Sequence, residues 1–328
     1  MSRAWLDAAA RIGEIDIAGL VDLRRDAAAA RAAGYGLAAA HIDDSLESAL
    51  AATRPDAVFD VTAPPAHKSV TLTALRHGCH VLGEKPMAES MADAREMCAA
   101  AREAGKIYAV IQNRRYDRNI RTVREALASG VIGQVHTVNA DFYLGPHFGG
   151  FREEMDHVLL VDMAVHSFDQ ARFLAGADAR RVYCREYNPP GSWFKHGAAA
   201  TALFEMTDGI VFNYRGAWCA HGMPTSWQCQ WRIIGSEGTL IWDGEHSIHA
   251  QRVVGNSGYM HECKDIGVKS ADWDPSLNGH EGLIRDFLEA VRTGRPPLTH
   301  CEDNLKSLAM VFGAVDSAER GEAVSVAG

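Results

Sequence analysis

The 328-residue chain is poor in several features, and each shortage excludes something. Its seven cysteines, Cys79, Cys98, Cys184, Cys219, Cys229, Cys263 and Cys301, form no C-x-x-C pair and are odd in number. That pattern argues against a disulfide framework or a zinc knuckle and suits reduced thiols in the cytoplasm. No Lys/Arg block is dense enough to follow a phosphate backbone, and the formal net charge is -9, so no nucleic-acid partner is expected. There is no basic leader and no apolar run of membrane-spanning length, so no membrane partner is expected either. The spacings of His147, His157, His166, His196 and His221 match no ligand motif, and no metal is expected. What the chain does have is 47% apolar side chains over a length that supports two packed domains.

From Ile15 to Gln112, short β-rich runs alternate with alanine-rich amphipathic stretches. Strands are expected at Ile15 to Val21, Leu37 to Ala39, "AVFDV" ending at Val61, "HVLGE" and "IYAVIQ". Helices are expected at Ser2 to Arg11, Arg24 to Ala33, Ser45 to Ala52, Ala66 to His77 and Ser90 to Ala104. The alternation implies a parallel sheet covered on both faces. After Asn113 the texture changes. Helices near Asn119 to Ala128 and Val161 to Leu174 flank a long strand, "GQVHTVNADFYLG". The runs "TALFEM", "IVFNYRGAW", "WQCQWRIIG" and "GTLIWDG" then follow without a helix between them, before closing helices near Glu281 to Arg292 and Asn304 to Glu319. The expected architecture is α/β: a Rossmann-like parallel sheet over residues 1–113, then an α+β domain over 114–328 with a large, mainly antiparallel open sheet.

Asp22 ends a strand as an acid that holds an adenosine ribose does, yet no first strand and no glycine-rich phosphate loop stand before the helix at Ser2. Three accounts fit: the chain starts downstream of that loop, the sheet closes or borrows a strand, or Ile15 to Val21 takes the central slot. The first is favoured, and with it a weakened grip on the cofactor.

Two loops at expected strand ends face the crevice where open α/β sheets bind ligands, "VTAPPAHK" (Val61 to Lys68) and "GEKPMAES" (Gly83 to Ser90). Lys85 precedes Pro86, which restricts it; the competing reading is a solvated loop lysine. In "VLLVDMAVHSFDQARFL", Asp162 and His166 are four apart and share a helix face, as a carboxylate and the imidazole it orients would. The competing reading is a helix cap and a packed histidine.

"GEKP", the N-x-R at Asn113 to Arg115, and D-x-x-x-H-x-x-D at Asp162, His166 and Asp169 together resemble the Gfo/Idh/MocA oxidoreductases, among them glucose-fructose oxidoreductase and inositol dehydrogenase. The resemblance runs over nearly the whole chain. It implies hydride transfer between a nicotinamide cofactor, NAD with NADP possible, and a hydroxyl carbon of a sugar, sugar acid or cyclitol. It makes Lys85, Asp162 and His166 catalytic. Asp22, Thr62, Ala63, Pro64, His67, Glu84, Lys85 and Asn113 become cofactor-binding. Arg115, Tyr143 and Arg152 join Asp162 and His166 in binding substrate, with Trp218 and His221 as further lining candidates. It also implies a homodimer or homotetramer. A non-catalytic relative that senses a ligand or scaffolds a partner is the alternative. Asp156, His157 and Val158 stand where the family usually has glycines, and Ala164 where it has another.

Overall fold

A computed structural model describes residues 2–255 and 257–326. They form two compact units. One joins the residues up to Asn113 to Pro275–Leu305; the other joins Arg114–Asp274 to the residues from Lys306 onward. The second stretch is therefore not the uninterrupted domain expected from 114 to 328.

The first unit alternates α1 (Ser2–Ile12), β1 (Gly19–Val21), α2 (Arg25–Gly34), β2 (His41–Asp43), α3 (Leu46–Thr53), β3 (Ala57–Asp60), α4 (Pro64–Arg76), β4 (His80–Gly83), α5 (Met91–Glu103) and β5 (Tyr108–Val110). Local chemistry sets several boundaries. Ser45 and Ser90 cap α3 and α5 by accepting from Ser48 N and Asp93 N, and Pro64 opens α4 with its φ already helical. All strand pairs here are parallel, but they form two separate sheets, β1-β2 and β3-β4-β5. Because β1 pairs with β2 and not with β3, Ile15 to Val21 does not fill a central slot. Only Gly19–Val21 of that run is strand, and the expected strand at Leu37 to Ala39 lies instead at His41–Asp43.

The second unit begins with a 3₁₀ turn, Asn113–Tyr116, shared at its first residue with the other unit, followed by α6 (Arg118–Ala128) and β6 (Val135–Tyr143). The short α7 (Phe151–Glu154) leads to a π-helical stretch, Leu159–Ala164, continued by α8 (Val165–Ala175). Then come β7 (Ala179–Tyr187), β8 (Ala199–Met206), β9 (Val211–Ala217), β10 (Gln230–Gly235), β11 (Gly238–Trp242), β12 (Ile248–Gly255) and β13 (Glu262–Ile266). Helix α9 (Gly279–Thr293) belongs to the first unit, and α10 (Cys301–Arg320) and β14 (Val324–Ser325) close the chain. The strands make one nine-stranded sheet in the order β13-β12-β11-β10-β6-β9-β8-β7-β14, antiparallel throughout except for β6 beside β9.

One face of this sheet carries the core. Phe168 of α8 meets Phe204 edge-on at 4.9 Å and Tyr214 at 5.2 Å, and Phe204 stacks on Phe212. Among the described residues the opposite face holds a cavity of about 880 Å³ lined by side chains of the strands, Asp141, Tyr183, Leu203, Arg215 and their neighbours, and no helix residue lines it.

Candidate functional site

In the first unit, the ends of β3, β4 and β5 carry most of the predicted cofactor residues. Asp60 organises the loop after β3. Its Oδ1 accepts from the Thr62 amide at 3.1 Å and the Thr62 hydroxyl at 2.6 Å, and its Oδ2 lies 2.9 Å from His67 Nδ1. His67 is buried with Asp60 and braces the loop from inside, whereas Thr62 and Ala63 are exposed and Pro64 half-buried. His67, expected to line the cleft, thus acts on it through Asp60 and Thr62.

Glu84 is buried; Trp5 Nε1 donates to its Oε1 at 2.8 Å and the Lys85 amide to its Oε2 at 3.3 Å. Lys85 itself is half-buried. Asn113 Nδ2 donates to His280 Nδ1 at 3.2 Å, a bond that needs a neutral imidazole. Burial supplies that condition by pushing the His280 pKa down. Between them, Gln112 is 1% exposed and neither atom of its side-chain amide has a protein partner. At β1, Asp22 is exposed and accepts from the Arg24 amide at 2.9 Å. Trp5, Gln112 and His280 escaped the sequence reading. Trp5 and His280 meet Glu84 and Asn113 only through long-range packing, and a glutamine beside Asn113 carries no motif signal.

In the second unit, Asp162 lies in the π-helical stretch and His166 one turn later in α8. Such wide turns recur at functional sites, and residues four apart still fall within about one turn. Asp162 Oδ2 accepts from Arg152 Nε at 2.7 Å, and the Arg152 guanidinium lies over the rings of Phe148 and Phe151 at 5.3 and 4.9 Å. The aspartate that was expected to orient His166 is itself held by a cation.

Two other predicted substrate residues are placed differently. Arg115 is 4% exposed and grips Asp169 at two points, 2.7 and 2.6 Å, while Ser307 Oγ donates to the same carboxylate at 2.7 Å. This is a buried, hydrogen-bonded ion pair of the scaffold. Tyr143 follows the period-two alternation of β6. Val138, Ala140 and Phe142 face the core, so Tyr143 shares the opposite face with Asn139 and Asp141. Burial and the neighbouring Asp141 raise its pKa. It lies on the sheet face opposite the packed α8. Trp218 is buried in the core, edge-on to Phe148 at 5.2 Å, and His221 is exposed with its ring 5.5 Å from Trp193.

A parallel α/β unit with polar loops at its strand ends, followed by a broad sheet unit with an Asp/His helix, defines a two-domain nucleotide-dependent oxidoreductase. Residues 2–112 match the oxidoreductase family with an NAD-binding Rossmann fold, and residues 120–241 match the Gfo/Idh/MocA C-terminal domain. The chain belongs to the Gfo/Idh/MocA oxidoreductase family. It is similar to 1,5-anhydro-D-fructose reductase of Ensifer adhaerens, 27% identical over 99% of this chain and 96% of the relative. D-apiose dehydrogenase of Paraburkholderia graminis is also 27% identical, over 98% and 85%. In fold it resembles the crystal structure of an oxidoreductase from Agrobacterium radiobacter in complex with NAD+, L-tartaric acid and magnesium (TM-score 0.85, 21% identity, 99% and 95% covered).

The residues present suit NAD. The exposed Asp22 carboxylate suits a ribose diol. No helix among the described residues is long and apolar enough to cross a membrane.

Proposed function

We propose that the protein is an NAD(P)-dependent dehydrogenase of a small sugar, sugar acid or cyclitol in which Lys85, Asp162 and His166 carry the chemistry. The observation that carries this reading is the pairing of Asp162 and His166 within one helical turn, with the Asp162 carboxylate fixed by Arg152. The names of the reductase and dehydrogenase relatives support a sugar or polyol substrate.

NAD supplies the hydride acceptor when bound. Asp22 would hold its ribose, Thr62, Ala63, Pro64 and Glu84 would line its cleft, and Asn113 would face its amide end. Lys85 donates a hydrogen bond to the reacting hydroxyl, which favours the alkoxide that develops there. His166 takes the hydroxyl proton, a task suited to an imidazole near neutral pH. Asp162 orients His166 and accepts from a second substrate hydroxyl, and Arg152 holds its carboxylate in place. Asp22 favours NAD over NADP because a carboxylate repels a 2′-phosphate, with Arg24 and Arg25 moderating the preference.

The sheet face that holds the cavity, with Tyr183, Tyr187 and Leu203 each more than 40% exposed, supports a homodimer or homotetramer assembled through it. Seven free cysteines, six of them buried, support residence in the reducing cytoplasm. The reading is tested by NAD+ reduction with a panel of polyols, sugars and sugar acids. Lys85→Met and His166→Ala should abolish turnover with the fold intact, and undiminished activity in either variant overturns it.

A further inference from the structure

Consecutive arginines in the turn Asn113–Tyr116 meet opposite fates. Arg115 is neutralised by Asp169 at two points. Arg114 has only neutral partners among the described residues: Nη1 donates to Gln170 Oε1 at 3.1 Å, and Nη2 lies 3.7 Å from the Met163 sulfur. Gln170 is in turn fully buried and donates to Gln228 Oε1 at 3.2 Å, so the chain of contacts stays uncharged. Asp169, the carboxylate whose charge reaches Arg114, is hydrogen-bonded to Arg115 instead.

A guanidinium has five donors in a planar fork, and the two contacts seen leave most of that fork unfilled. Desolvation pushes the Arg114 pKa down to about 10 against the pull of Asp169, so it remains a cation at neutral pH, half-buried and with no carboxylate in hydrogen-bond contact among the described residues. Such a charge costs free energy unless something negative arrives to meet it. Its location says what that is. Met163 and Gln170 lie three residues before and four residues after His166, on the same helical face, so the guanidinium spans the stretch that carries the proposed base.

We propose that Arg114 recognises a carboxylate on the substrate, which makes the substrate an acidic sugar or its open-chain acid and not a neutral polyol. The inference rests on the dehydrogenase reading for the position of the reacting hydroxyl near His166. Arginine suits the task because its fork matches the two oxygens of a carboxylate, and Gln170 holds that fork in orientation.

The test is equilibrium calorimetry on the NADH-loaded and cofactor-free protein at neutral pH and fixed ionic strength. The probes are sodium D-gluconate against D-glucitol and sodium D-glucuronate against D-glucose, pairs that differ in the acid group. The wild-type protein should bind the acid of each pair about 10- to 100-fold more tightly, the range expected of a charge-assisted bond. Arg114→Gln should bring the ratio to within about twofold. Arg114→Lys, which keeps the charge and loses the fork, should give an intermediate ratio and serves as the readout if the glutamine variant fails to fold. Equal binding of acid and neutral partners, no binding of either acid, or a preference that survives in the variants overturns the proposal. NAD+ reduction by neutral polyols without an acid preference defeats this inference alone. Acid binding through Arg114 with no NAD+ reduction by any probe defeats the dehydrogenase reading alone.

Discussion

The sheet strands of the two units differ in continuity, and the difference shows in burial. The nine strands of the second unit form an unbroken ladder, and its central strands bury every core-facing side chain; Val138, Ala140, Phe142, Phe204 and Phe212 are at most 1% exposed. The parallel strands of the first unit fall into a pair and a triplet. There β4 and β5 are buried almost throughout, whereas β1 is half-buried to exposed and the first three residues of β3 are half-buried. Parallel strands covered by helices on both faces read as continuous apolar runs, as β4 and β5 do, whereas β1 and β3 lie where the pairing of this unit is interrupted. A sheet of hairpins is held by its neighbours in sequence; a parallel sheet depends on strands brought together by crossovers, and it is weakest where pairing stops.

Several experiments sharpen that contrast. The largest effect belongs to amide hydrogen exchange. Amides of β8 and β9 should exchange only through global opening of their unit, while those of β1 should exchange orders of magnitude faster through local opening. Equal protection in the two sheets would remove the contrast.

Next comes Asp169→Ala, which leaves Arg115 as an uncompensated buried cation and should destabilise the second unit by about 3 to 5 kcal/mol in urea titration. A loss below about 1 kcal/mol would mean that the pair does not hold the scaffold. Phenylalanine truncations compare the sheets directly. Phe204→Ala should cost about 3 to 5 kcal/mol because the ring is fully buried, and Phe59→Ala in half-buried β3 should cost less despite its contacts with Trp5 and Phe287.

The smallest effects are in pH. His280 has a pKa lowered by burial, so the unfolded chain binds the proton first. Its contribution to stability is complete above the ordinary histidine value near 6.5 and is lost as pH falls through the lowered folded value. His157 behaves oppositely. Its Nδ1 lies 2.5 Å from Glu186, which raises its pKa, so the stability it adds is present at acid pH and fades as pH rises through the raised value. His280→Gln and His157→Gln should each flatten its own limb of the stability profile.

Much of the architecture could be read from periodicity, because helices such as α5 and α8 and the alternating strands after Asn113 carry strong patterns. The positions of short parallel strands could not. β2 moved from Leu37 to His41 because a three-residue strand is chosen by pairing with β1, not by its own composition. The allegiance of α9 to the first unit depends on packing against α1, including the Arg11–Glu281 ion pair across 270 positions of sequence.

At the candidate site, motif spacing pointed to Lys85, Asp162 and His166, and also to Arg115, which the structure holds in a buried ion pair with Asp169. Arg114 and Arg115 have the same side chain and adjacent positions, and only the location of Asp169 decides which of them is neutralised. Tyr143 was expected among the substrate residues on the strength of the resemblance, and the alternation of β6 turns it to the other face.

The central claim is that His166 serves a hydride transfer to NAD+, and the most direct measurement is the rate of NADH formation by the wild-type and His166→Ala proteins across a panel of sugars, polyols and sugar acids. The account predicts substrate-dependent NADH formation by the wild type and a loss of about 10²- to 10⁴-fold in the variant, with NADH binding unchanged. Absence of NADH formation with every substrate, or an undiminished rate without the imidazole, would contradict it.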